Sequence, residues 1–171
     1  MCTIVIWGIN VSDKMNLHEF NMREATLHDL SVLVRHRRVM FVEATGAKGD
    51  KELDAMDKGY QRHIQKSLPI DTFKAWIIET KEGKIAASGG ITVYEQPPRP
   101  QDETLRYVYV HSIYTEPEYR RRGIARKMLN TIVNYCRDKK FKTLTLHAVE
   151  ASKPLYESFG FKPTTEMRMF L

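Results

Sequence analysis

"EPEYRRRGIARKML", residues 116–129, runs three arginines into a glycine, an alanine and an apolar helical pattern. Ahead of it, "LRYVYVHSIYT" (105–115) reads as a strand, the longest in the chain, and Pro117 breaks it. A helix is then predicted from about Arg121 to Asp138. The first turn of a helix has backbone N–H groups without intrahelical acceptors, and its dipole favours negative charge. Gly123 and Ala125 have minimal side chains, so a ligand can approach that backbone closely. Arginines at the mouth add charge-assisted bonds to phosphate oxygens. A solvated helix start is the plain alternative, but basic residues there oppose the dipole, and it leaves the arginine run unexplained. Neither G-x-x-x-x-G-K-[ST] nor G-x-G-x-x-G is present, so this stretch alone leaves both readings open.

A second motif shifts the balance. "KTLTLHAV" (142–149) is a predicted strand, and "ASKPLYESFGF" (151–161) follows it with a short helix from about Ser152 to Phe159. The pair of motifs resembles the GNAT superfamily of acyl-CoA-dependent N-acetyltransferases. Arg120, Gly123 and Ala125 match its [QR]-x-x-G-x-[GA] pattern; Leu155, Tyr156, Gly160 and Phe161 match its L-Y-x-x-x-G-F element. The ending "GFKPTTEMRMFL" is similar to the final strand of one branch of that family. The specific resemblance covers about 105–171.

The resemblance implies a fold and a site. The fold is α+β or mixed α/β, a central sheet mostly antiparallel with a splayed pair of parallel strands, and helices on both faces. The cosubstrate is acetyl-CoA. Ile113, Tyr114 and Thr115 are expected to offer backbone groups to its pantetheine arm and thioester. Arg120, Arg121, Arg122, Gly123, Ile124, Ala125 and Arg126 are expected to hold its pyrophosphate, and Ser152 to cap the following helix and touch the cofactor. A thioester is already activated, so catalysis needs positioning, carbonyl polarisation and proton management. Tyr156 matches the tyrosine that protonates or stabilises the departing thiolate; its bland alternative is a helix tyrosine packed on the sheet. Glu43 and His111 are the candidate general bases, each also readable as a structural polar residue. Val149 departs from the Asn found in many members and cannot supply that amide contact.

The rest of the chain agrees in element order. "NMREAT" (21–26) is a predicted strand, and Thr26 with Asp29 resembles a capping box opening a helix to about Glu43. Gly46 and Gly49 break it, and Leu53, Met56, Tyr60, Ile64 and Leu68 mark a second helix to Pro69. Residues 72–80 and 84–95 read as an antiparallel hairpin. With 171 residues the chain is expected to form one domain over 21–171, with 1–20 an N-terminal extension or extra edge strand.

Lys plus Arg exceed Asp plus Glu by 27 to 21, a surplus that favours anionic partners without choosing among them. Two cysteines, Cys2 and Cys136, are too few for a disulfide framework or a four-ligand zinc site, and no metal is assigned. No apolar run reaches the ~18 residues of a membrane span, and the start is a poor signal peptide. A cytoplasmic location is expected.

The expected function is transfer of an acetyl group to a primary amine, small molecule or peptide, by direct attack in a ternary complex. Acidic residues Glu43, Glu95, Asp102 and Glu103 bring cationic amines to mind, although solvated loop charge is their plainer reading. Two alternatives stay open: a non-catalytic acyl-CoA sensor, and a basic nucleic-acid-binding module, which is disfavoured because no basic block other than "RHRR" (35–38) accompanies the arginine run. A homodimer fits the resemblance. The acceptor, the acyl chain and the oligomeric state are left open.

Overall fold

A computed structural model describes residues 19–47 and 49–170. The fold is mixed α+β, built on a five-stranded sheet in the order β1-β2-β3-β4-β5. The elements are β1 (Phe20–Glu24), α1 (Leu30–Thr45), α2 (Asp50–Ser67), β2 (Phe73–Thr80), β3 (Ile85–Glu95), β4 (Arg106–Thr115), α3 (Ile124–Asp138), β5 (Leu144–Thr145) and α4 (Lys153–Glu157). β1 to β4 pair antiparallel in sequence; β5 joins β4 in parallel. The extension expected over 1–20 falls outside the described residues as far as 18. No helix among the described residues is long and apolar enough to cross a membrane.

Side-chain alternation along the strands divides the interior into two layers. Trp76 and Ile78 of β2 turn to one face, where Ile124, Met128, Leu129 and Ile132 of α3 cover them together with Val108 and Val110 of β4. Phe73, Ala75 and Ile77 turn to the other face, against Leu33 of α1 and Tyr60 and Ile64 of α2. The period-two pattern of the strands therefore serves both faces of one sheet, and the period-3.6 pattern of α3 meets one of them.

The α1 face is pinned by charge. Arg38 on α1 reaches Asp54 and Asp57 on α2, both at 2.7 Å. At the start of α1, Thr26 Oγ1 accepts from the His28 amide at 3.3 Å, and the Asp29 carboxylate accepts from the Thr26 amide at 2.8 Å. The same carboxylate takes a two-pronged bond from Arg23 of β1, both at 2.8 Å, and Arg23 also donates to Glu79 of β2 at 3.1 Å. The capping box thus ties the first helix to the edge of the sheet.

Four expectations need correction. α3 begins at Ile124 rather than near Arg121, because Arg121 (φ 62°) and Gly123 (φ 74°) lie in the left-handed region and cannot continue a right-handed helix. The strand expected over 142–149 is formed only at Leu144 and Thr145, with the Thr143 carbonyl accepting from the Val108 amide at 3.2 Å. Residues 161–170 form no strand at all; Met167, Met169 and Phe170 are exposed, and alternation without a neighbouring edge does not make a strand. β3, with 11 residues, is longer than β4, with 10.

Hydrogen bonding from Arg23 holds the Asp29 carboxyl below its usual range, against the opposing effect of burial. A depressed carboxylate stabilises the fold above its unfolded pKa, and that contribution is lost as pH falls through the folded value. Asp29→Asn is expected to cost about 2 kcal/mol at pH 7, discounted for the exposure of Arg23. The gap from wild type should narrow below about pH 4 in urea denaturation.

Candidate active site

The site is organised by an irregularity in β4. Ser88 pairs with Tyr114 and Gly90 with His111, so the single residue Gly89 faces both Ser112 and Ile113. Ser112 takes up the extra residue with φ 53°, a β-bulge. The bulge reverses the phase of the strand. Val108 and Val110 face α3, as does Ile113, whereas the Ser112 hydroxyl turns to α1 and accepts from Arg37 Nη1 at 2.8 Å. β3 is bare at this point. A Cβ on Gly89 would come within 2.9 Å of the Met128 side chain and 3.2 Å of Ile113, so a close approach requires glycine here.

β4 also leaves its parallel neighbour here. The two strands are registered only at Val108–Leu144 and Tyr109–Thr145, and beyond Tyr109 they part. At the mouth of this gap lies the arginine turn. Gly123, in its left-handed conformation, precedes the first residue of α3, and the Lys127 amide reaches its carbonyl at 2.9 Å. Among the described residues no backbone carbonyl accepts from the amides of Arg121 to Arg126. A row of open N–H groups at a helix start is suited to an anion with several oxygens.

The arginines divide into two groups. Arg120 is engaged: Nη2 bonds both oxygens of Glu43 at 2.8 and 2.9 Å, Nε donates to the Thr115 carbonyl at 2.9 Å, and the guanidinium lies 5.4 Å from the Tyr114 ring. Arg122 rests on the Tyr119 ring and Arg126 on the Phe159 ring. Arg121, Arg122 and Arg126 have no carboxylate partner among the described residues. In "RHRR", Arg35 pairs with Glu116 and Arg38 with the α2 aspartates. His36 is fully buried between Ser88 (2.8 Å) and Glu116 (3.1 Å).

Residues 45–161 match the family model described as the acetyltransferase (GNAT) family. This chain belongs to that family. Two curated relatives agree over part of their length: human N-acetyltransferase 8, 28% identical over 94 residues, and the uncharacterized N-acetyltransferase YafP of Escherichia coli, 31% over 61 residues. The matches take in 52% and 36% of this chain and span less than two fifths of each relative, 38% and 37%. Two solved structures match over 89% of the chain at 29% identity. A GCN5-related N-acetyltransferase from Ralstonia eutropha superposes with a TM-score of 0.82 over 98% of its length. A predicted acetyltransferase from Clostridium acetobutylicum, solved with acetyl-CoA, gives 0.80 over 96%.

Within this GNAT fold the remaining candidates fall into separate groups. Tyr156 is half-buried on α4, edge-on to Phe161 at 6.0 Å; burial raises its hydroxyl above the ordinary tyrosine value, against a hydrogen bond with Ser152. Ser152 makes no side-chain cap, contrary to expectation. A 3-10 turn over Glu150–Ser152 leads straight into α4, and the Ser152 hydroxyl donates to the Val149 carbonyl at 2.9 Å. A groove of about 1090 Å³ runs between β5, α4 and residues 160–168 and includes Tyr156 but none of 113–126.

His111 stands on the opposite side of β4, in a second cavity of about 340 Å³ with Arg37, Tyr60, His63, Thr92 and Tyr109. Thr92 Oγ1 lies 2.9 Å from His111 Nε2 and 3.2 Å from His63 Nε2. Burial, helped by Arg37, pushes the His111 imidazole down to about 3, and the same two causes lower His63. The structure therefore joins Glu43, Tyr114, Thr115 and Arg120 directly but keeps His111 apart from Glu43. The residues that sequence reasoning missed are Arg37, His63, Thr92 and the bulge at Ser112; the Gly89–Gly90 pair in mid-strand was the signal available for the last.

A histidine neutral in the folded chain until about pH 3, and ordinary when unfolded, makes the unfolded state bind more protons between those values. Stability should therefore fall as pH drops from about 6.5, the ordinary histidine value. His111→Gln should make that slope shallower, not abolish it, because His36 and His63 are also held down. Urea midpoints at neutral and mildly acidic pH test this.

Proposed function

We propose that this GNAT member transfers an acetyl group from acetyl-CoA to a primary amine by direct attack in a ternary complex. The carrying observation is that a bulge, a parting of parallel strands and a turn of open amides converge at one end of β4. The Clostridium acetobutylicum relative solved with acetyl-CoA supports the same reading. When bound, acetyl-CoA supplies an activated thioester.

The chain's own residues supply the remainder. The amides of Arg121 to Arg126 and the cations of Arg121, Arg122 and Arg126, which have no carboxylate partner among the described residues, bind the pyrophosphate. Backbone groups of Ile113 and Thr115, on the edge of β4 that has left β5, line the pantetheine arm, whereas those of Tyr114, opposite Ser88, turn to β3; the Thr115 carbonyl is already taken by Arg120. The Ile113 N–H, displaced by the bulge, polarises the thioester carbonyl. Tyr156, whose raised value keeps it protonated at neutral pH, donates its proton to the departing sulfur. Of the two candidate bases, Glu43 has both oxygens engaged by Arg120. His111, which borders the cavity across β4, is held down to about 3 by burial and Arg37. It is too weak a base to keep the ammonium's proton, so that proton passes to water. A cytoplasmic location belongs to the same proposal, consistent with the free, buried thiol of Cys136.

Two variants test the assignment by calorimetry and thiol release. At Gly123 a β-branched residue must take φ 74°, which costs it about 1–2 kcal/mol and moves the amide row. Gly123→Val should weaken acetyl-CoA binding at least about tenfold in a chain that still melts cooperatively; unchanged affinity would remove the cradle. Tyr156→Phe should lower turnover by roughly a hundredfold with binding nearly intact. A parallel loss of affinity would make it a packing residue.

A further inference from the structure

The cavity across β4 carries a charge opposite to the one that the loop acids bring to mind. Among the described residues that line it, Arg37 alone is formally charged. The guanidinium lies over the rings of Tyr60 and Phe41, at 4.6 and 4.9 Å, which fixes its plane. Among the described residues its hydrogen-bond acceptor is Ser112, reached from Nη1, and Nε is buried with no acceptor. No carboxylate reaches it among the described residues, so a largely enclosed cation lacks a counter-ion. The acids that suggested a cationic acceptor are spent elsewhere. Glu43 is bound by Arg120, Glu103 by Lys142 at 2.5 Å, and Asp102 accepts from Thr104 and Thr143, both at 2.6 Å. None of them, nor Glu95, lines the cavity.

Position sharpens the point. Arg37 is bonded to Ser112, the residue next to Ile113, and consecutive Cα atoms are only about 3.8 Å apart. An anionic group paired with Arg37 therefore sits a few atoms from an amine poised at the bulge. Resting on the acetyltransferase reading above, we infer that the acceptor is a small primary amine carrying an anionic group a few atoms from its nitrogen, and that Arg37 selects it. The planar guanidinium fork suits a carboxylate or a phosphate. Polyamines and other multiply cationic amines are repelled by the same charge. Arg37 also favours the neutral form of a nearby amine, which is the form that attacks.

The test compares matched pairs on the whole chain: phenylalanine with its amide, phosphoethanolamine with ethanolamine, and spermidine apart. Binding to the protein saturated with CoA is measured by calorimetry, and turnover by thiol release from acetyl-CoA. The member of at least one pair that carries the anionic group should bind about tenfold or more tightly than the member that lacks it, and which pair responds tells carboxylate from phosphate. Arg37→Gln should erase that preference and Arg37→Lys retain part of it, each with acetyl-CoA affinity unchanged as proof of folding. Preference for a neutral or polycationic amine, a preference that survives Arg37→Gln, or no binding by either anionic amine overturns the inference. Arg37-dependent binding without thiol release upholds it while removing the acetyltransferase reading.

Discussion

The chain's chemistry depends on one extra residue in β4. An antiparallel strand of constant phase would turn Ile113 toward the helices α1 and α2 and Ser112 toward α3. With Ser112 in the left-handed region opposite Gly89, the far half of the strand is inverted. Ile113 then joins the α3 layer, and Ser112 becomes the acceptor for Arg37. The same distortion accompanies the parting of β4 from β5, because a strand bent at one point cannot stay in register with a straight neighbour over its full length. A packed core on one side, a polar cavity on the other and a gap at the edge follow from a single insertion.

Charge is apportioned as distinctly as packing. Arginines on α1 and at the foot of the turn are matched to carboxylates and hold the fold: Arg35 to Glu116, Arg38 to the aspartates of α2, Arg120 to Glu43. Arg121, Arg122 and Arg126 are left with aromatic faces or solvent, and Arg37 with two rings and a hydroxyl. Cations withheld from internal pairing keep their capacity for external anions. Two such groups flank the same strand, Arg37 on one side and Arg121, Arg122 and Arg126 on the other.

Much of this was legible in the residues. The two motifs at 116–129 and 151–161 identified the family, and hydrophobic period gave every helix and the first four strands to within a few residues. The capping box at Thr26 and Asp29 also stood in the sequence. What was hidden depends on partners rather than on local pattern. Ser112 has no side-chain reason to be left-handed, so the bulge is visible only in its consequence, two glycines in the middle of β3. Residues 161–170 alternate like a strand, but an edge that offers two paired residues gives them no ladder to join. Arg37 reads as one of four basic residues in "RHRR" until the helix is docked and its neighbours find carboxylates while it does not.

The brevity of β5 has a mechanical consequence. Four strands are laced together over most of their length with α3 packed across them, whereas β5 is joined to their edge by a two-residue parallel ladder. Sideways stiffness therefore ends at β4. Along the edge, hydrogen bonding to β5 is confined to the stretch at Val108 and Tyr109, so the gap between the strands is fixed at one end and can widen at the other without breaking the ladders of the main sheet.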